Sequence, residues 1–136
     1  MCSIYLNSRS AVTVGALFLL FIILDIACAR DGPSHHTFVE ADMDQVHVVK
    51  VGDKITLRLS VQPSLGYVWR ADVPSGLAQT APTRFERSSE QRHKLGLPEV
   101  QIFEFMAKKS GLQQLRVSYL RIDKVVKTGT FKLEIR

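Results

Sequence analysis

An all-β fold, an antiparallel β-sandwich of seven to eight short strands, is what this sequence predicts, and three observations carry it. Segments with strict two-residue alternation of apolar and polar side chains recur through the second half of the chain. Glycine-containing turns punctuate them at short intervals. No window between them shows the 3.6-residue apolar stripe of an amphipathic helix. A closed barrel is the competing architecture, since the same alternation also builds one.

The first 29 of the 136 residues stand apart. Arg9 precedes the apolar run AVTVGALFLLFIIL (11–24), and the small-x-small triplet Ala27-Cys28-Ala29 follows it. This is the layout of a secretory signal peptide cleaved after Ala29. The run is about 14 residues, short of the roughly 20 that span a bilayer as a helix. Cys28 after Ile26-Ala27 gives a rival reading, a lipoprotein signal, although Asp25 fits neither well; an uncleaved anchor is the third. The protein is therefore expected in the periplasm or outside the cell, with membrane contact only if Cys28 is lipidated. Cys2 and Cys28 are the two cysteines, so a chain starting at Arg30 has no disulfide and no thiolate ligand. Losing Arg9 and Asp25 together leaves the net charge at +5. Such a surface favours acidic partners or anionic membrane surfaces. Nucleic acid is not expected, because the basic residues are scattered and no nucleic-acid motif appears.

Residues 30–36 read as a flexible polar lead-in, and 37–136 as the sandwich domain. KITLRLSV (54–61) alternates without error, with Ile55, Leu57, Leu59 and Val61 on one face. In VQIFEFMA (100–107), Phe103, Phe105 and Ala107 point one way and Ile102, Glu104 and Met106 the other. LRVSYLRI (115–122) sets Leu115, Val117 and Tyr119 against Arg116, Ser118 and Leu120. TFKLEI (130–135) buries Phe131, Leu133 and Ile135. Weaker strands are expected at 37–41, 45–51, 67–71 and 83–87. Gly52-Asp53 and Ser110-Gly111 read as hairpin turns. The segment 72–99 reads as irregular apart from the short strand within it. It holds three of the five prolines and the basic set Arg84, Arg87, Arg92, His93 and Lys94. Loops of that length are usually functional or disordered.

Enzyme chemistry finds little support. There is no phosphate-binding glycine loop, no G-x-S-x-G elbow, no H-E-x-x-H and no cysteine nucleophile beyond the leader. His35-His36 lie in a loose tail and make a poor metal site, and His47, between Val46 and Val48, reads as an exposed strand position. Asp42 and Asp44 read as solvated turn charges. No catalytic residue, metal or cofactor is expected.

One turn asks for more. In SVQPSLGYVWRA (60–71), Pro63 fixes φ and Gly66 allows a left-handed position. Tyr67 and Trp69 follow on one face, which a simple inter-strand turn with a core aromatic pair would also explain. The arrangement resembles the chagasin-type (I42 family) inhibitors of papain-like cysteine peptidases, immunoglobulin-like sandwiches that present three loops to the peptidase cleft. The first family loop has the pattern N-P-[ST]-T-G-[YF]-x-W, matched here by Pro63, Ser64, Gly66, Tyr67 and Trp69. The second is glycine-rich and corresponds to KLGLPEVQIFEF (94–105). The third follows Y-[LM]-R-P-W and corresponds to VSYLRIDK (117–124). The resemblance spans residues 45–136. It implies peptidase-binding loops made of Gln62, Pro63, Ser64, Leu65, Gly66 and Tyr67, then Gly96, Leu97, Pro98 and Glu99, then Arg121, Ile122 and Asp123. Trp69 would support the first loop.

The departures fall mostly on contact positions. Gln62 replaces asparagine, Leu65 replaces threonine, Pro98-Glu99 replace a glycine pair, and Ile122-Asp123 replace Pro-Trp. Three functions follow. The resemblance implies a monomeric inhibitor whose partner is a papain-like cysteine peptidase. The departures suggest a binding or assembly module on the same sandwich, with the basic stretch 84–94 meeting an acidic partner. An enzyme is the third and has no motif behind it.

Overall fold

The computed structural model describes residues 31–89, 94 and 96–136. The expected signal peptide, Cys28 and the basic residues Arg92 and His93 lie outside the described residues. Asp31–Arg136 form a compact unit of eight strands: β1 (His35–Val39), β2 (Val46–Val49), β3 (Lys54–Val61), β4 (Tyr67–Asp72), β5 (Leu77–Glu86), β6 (Glu99–Ala107), β7 (Gly111–Arg121) and β8 (Lys124–Ile135). They form two four-stranded sheets, ordered β1-β3-β6-β5 and β2-β8-β7-β4. Two separate sheets make an immunoglobulin-like sandwich rather than a closed barrel. Two edge pairings, β1 with β3 and β2 with β8, are parallel, and the other pairings are antiparallel.

The alternation of β3 and β8 is met side chain by side chain. Ile55, Leu57, Leu59 and Val61 face Phe131, Leu133 and Ile135 across the core, together with Phe103, Phe105, Leu115, Val117 and Trp69. Side chains of this kind contribute roughly 1.5–3 kcal/mol each when fully buried, and with no cysteine beyond position 28 the core must hold the fold. Three residues of the opposite faces, Thr56, Ile102 and Leu120, are buried as well. Ile102 lies on the outer face at the register of Arg58 and Arg84, while Leu120 is buried beside a bulge where β7 shifts register against β8.

The two turns expected to be hairpins are not. Gly52-Asp53 carries the chain from β2 in one sheet to β3 in the other, and Ser110-Gly111 carries it from β6 to β7 in the same manner. The first crossover is held by the Asp53 carboxylate, which is buried and accepts hydrogen bonds from the Ser34 and Lys50 backbone N–H groups. His36 Nε2 lies 2.8 Å from Oδ2, the oxygen that also accepts from Lys50. Burial pushes this carboxyl up, but the Lys50 and Ser34 donors and His36 outweigh it and hold it below the ordinary carboxylate range.

His47 is half-buried rather than exposed. Its ring packs on Phe38 at a centroid distance of 4.4 Å, and Nε2 bonds the Asp42 carbonyl, so the flanking Val46 and Val48 are the exposed pair. The segment 72–99 is also more regular than expected. Its strand runs over Leu77–Glu86, ten residues with two register shifts against β6.

Candidate functional site

Two registers bring three connections to one end of the sandwich. Val61 pairs with Glu99, so the exit of β3 lies beside the entry of β6. Tyr67 pairs with Arg121, so the entry of β4 lies beside the exit of β7. The connections 62–66 and 122–123, and the described residues 96–98 that lead into β6, therefore share that end.

The first connection is a single 3-10 turn, Pro63–Leu65, with proline at its start and Gly66 closing it at φ 80°, ψ 17°. Proline loses nothing there because its missing N–H would have had no helical partner. Gly66 adopts the left-handed conformation that other residues resist. Gln62 serves this turn through its backbone: its carbonyl accepts from Leu65 at 3.1 Å and Tyr67 at 3.3 Å, and its N–H donates to the Tyr119 hydroxyl. Burial pushes the Tyr119 phenol above its ordinary range, against that Gln62 donor. Ser64, Leu65 and Gly66 form the exposed crest, with Gln62, Pro63 and Tyr67 half-buried at its base.

Under the crest lies an aromatic stack. Tyr67 and Tyr119 are parallel at 5.0 Å, Trp69 tilts against Tyr119 at 4.7 Å, and the Arg121 guanidinium sits 5.4 Å above the Tyr67 ring. Trp69 is 3% exposed and its indole N–H donates to the Ser60 carbonyl at 2.8 Å, which makes it the support of the turn and not its contact surface. Gln101 completes the footing. It projects from β6 across the sandwich, accepting from the Trp69 backbone N–H and donating to the Trp69 carbonyl, both at 2.8 Å.

The second connection offers Gly96, Leu97 and Pro98, all exposed, with Gly96 at φ 83°. Pro98 shares a shallow cleft of about 310 Å³ with Gln62, Trp69, Tyr119 and Lys127. Glu99 is set differently from the other residues of this loop. It is the first residue of β6, buried, and its carboxylate is bound by Arg87 Nε at 2.6 Å. Arg84 is likewise paired, to Glu104 and Glu86, so this part of the basic stretch is neutralised within the protein.

The third connection is only two residues long. Ile122 (φ 46°) and Asp123 (φ 65°) close the β7–β8 hairpin, both exposed. Positive φ at both positions is what a type I′ turn requires. The Ile122 N–H donates to the Gly66 carbonyl at 3.3 Å, which joins the third connection to the first.

The sequence therefore marked the residues of the three connections but missed Gln101, which holds the first. Gln101 is a polar residue on the inward face of β6, and that misplaced polarity was the signal. Tyr119 was legible as part of the third motif, without its bond to Gln62. Among the described residues no group of three or more His, Cys, Asp or Glu is placed to hold a metal ion. His35 and His36 are instead engaged by Thr56 and Asp53.

The chain is similar in structure to the cysteine protease inhibitor EhICP2 from Entamoeba histolytica, at a TM-score of 0.67 and 18% identity, covering 76% of this chain and 96% of that one. It is also similar to amebosin, at 0.62 and 19%, covering 77% and 100%. At such identities the likeness establishes the fold. No match to a curated protein sequence was found. The family model described as Chagasin family peptidase inhibitor I42 matches residues 48–135, the span from β2 to β8 that carries all three connections, and the chain belongs to that family.

Proposed function

We propose that this protein is a secreted or periplasmic inhibitor of papain-like cysteine peptidases that docks the shared end of its sandwich into the active-site cleft. The observation that carries this reading is the first connection: an exposed Ser64-Leu65-Gly66 crest on a turn fixed by Pro63, Gly66, Tyr119 and Ile122. A peptidase cleft selects extended backbone. A 3-10 turn closed by a left-handed glycine fills it without laying a peptide bond in register for attack. Because the turn is held in place before docking, little conformational entropy is lost on binding. The leader pattern of residues 1–29 supports export, where such peptidases would be met.

The test is a steady-state titration of the purified protein against papain and several relatives. Reversible nanomolar inhibition is expected, lost when Ser64-Leu65-Gly66 is replaced by three residues of another turn type. No inhibition at micromolar concentration across the panel would refute the reading.

A second reading, a binding module that no longer inhibits, is favoured by the two-residue third connection and by the commitment of Glu99 to Arg87. It predicts a non-peptidase partner captured by the same end of the sandwich.

A further inference from the structure

We infer that Leu65 and Ile122 act together as one paired aliphatic tip, and that this tip selects peptidases whose cleft offers an apolar subsite with an acidic rim. The inference rests on the inhibitor reading and specifies the feature of the target that this chain recognises.

Its basis is a conflict between Ile122 and its place. The residue has φ 46°, a region that β-branched side chains avoid because the Cβ substituents crowd the backbone. Asparagine or glycine is the ordinary occupant of that turn position. Packing does not explain the choice, since Ile122 is 78% exposed. Backbone strain held at an exposed position is a pointer to function, in that direction of inference. The hairpin register fixes the conformation: Arg121 pairs with Lys124, leaving two residues to turn the chain.

The geometry then joins Ile122 to the crest. A Cβ placed on Gly66 would lie 3.3 Å from Ile122 Cγ1, so the isoleucine rests against the glycine that closes the first turn. Leu65 is the residue before that glycine and is 51% exposed. Two exposed aliphatic side chains thus flank a single backbone hydrogen bond, Ile122 N–H to Gly66 carbonyl. Exposed Arg121 and Lys124 stand on either side of the turn and outnumber the one exposed carboxylate within it, Asp123. An apolar subsite bordered by carboxylates complements that arrangement, the carboxylates steering the approach and the subsite accepting the tip.

The test measures inhibition constants and melting temperatures for the purified protein and its Ile122→Asn, Leu65→Ala and double variants, against a peptidase that the wild type inhibits. Ile122→Gly, equally suited to positive φ, guards against a failure peculiar to asparagine. Ile122→Asn is expected to melt a few degrees higher while inhibiting about ten- to a hundredfold less, the loss for an aliphatic side chain left out of an apolar site. The double variant is expected to lose less than the product of the single losses, because both side chains share one subsite. Inhibition by Ile122→Asn and Ile122→Gly within twofold of wild type would overturn the paired tip and leave the inhibitor reading standing. A lower melting temperature for both would overturn the strain argument. A wild type that inhibits no papain-like peptidase would overturn both readings together.

Discussion

Gln101 offers the sharpest test of how the first turn is held. The strand that follows the turn, β4, lies at the edge of its sheet and pairs only with β7. On its free side the Trp69 N–H and carbonyl face the opposite sheet, where a backbone ladder cannot reach them. The Gln101 amide supplies both missing partners, at 2.8 Å each, and is itself 2% exposed. Methionine in its place keeps the volume and removes both bonds. Two buried backbone groups left without partners cost about 1–3 kcal/mol each. Allowing partial relaxation, Gln101→Met should lose about 3–4 kcal/mol, a fall in Tm of roughly 12–30 °C for a domain of this size.

Glutamate at the same position gives a directional control. Its carboxylate can accept from the Trp69 N–H but sets a charge against the Trp69 carbonyl, whereas its protonated form can make both bonds. Its folded pKa should therefore rise above the unfolded value near 4.3. Below that value both states are protonated and the variant should lie closest to wild type. The penalty should grow as pH rises through the interval between the two pKa values. Urea melts of Gln101→Met at pH 7 and of Gln101→Glu between pH 3.5 and 7 read both effects. A loss under about 1 kcal/mol for methionine, or a glutamate penalty that does not change with pH, would refute the clamp.

Two further outcomes follow from the core and the crossover. Trp69→Ala removes a ring that is 3% exposed and orphans the Ser60 carbonyl, so a denaturant melt should show a loss of about 3–5 kcal/mol; less than about 1 kcal/mol would mean that the ring is not core. Asp53 is a carboxylate held below its ordinary range by the Lys50 and Ser34 N–H groups and His36, despite burial. Its contribution should be complete above about pH 4 and lost as pH falls through its native value. Asp53→Asn should lose stability at neutral pH and show a shallower acid limb in urea melts from pH 2.5 to 6; a limb parallel to wild type would refute the assignment.

How much of this was legible depended on which physical signal each residue gives. Strand β3 and the C-terminal half of β8 announce themselves because one face is fully buried and the other is mostly open to solvent, Thr56 excepted. Strand β5 was read only in part because it is an edge strand with two register shifts, and its burial does not alternate cleanly. Gly52-Asp53 was misread for a different reason. Turn chemistry says that the chain reverses but not which sheet receives the next strand, and the buried Asp53 carboxylate decides that here. The β7–β8 turn was illegible as a type I′ hairpin, since neither Ile122 nor Asp123 advertises positive φ as Asn-Gly would. His47 was misplaced because its neighbours are apolar, yet the valines face solvent and the imidazole packs on Phe38.

The candidate site divides along the same line between buried and exposed. Trp69, Tyr119 and Gln101 build the footing of the first turn from groups whose loss is costly, because each is packed or hydrogen-bonded away from water. Leu65, Leu97 and Pro98 stand in solvent, where a substitution usually shifts stability by no more than about 0.5 kcal/mol. Of the departures from the family pattern, Leu65, Pro98, Ile122 and Asp123 are exposed, whereas Gln62 is half-buried and Glu99 is buried. Such changes can redirect what the wedge binds while leaving the wedge intact. Ile122 is the sharpest exception: like Asp123 it is exposed at positive φ, and a β-branched side chain suits that conformation least. A residue that the fold does not need and does not easily accommodate is where a functional contact is best sought, and the Gly66 carbonyl bonded to its N–H ties that contact to the crest of the first turn.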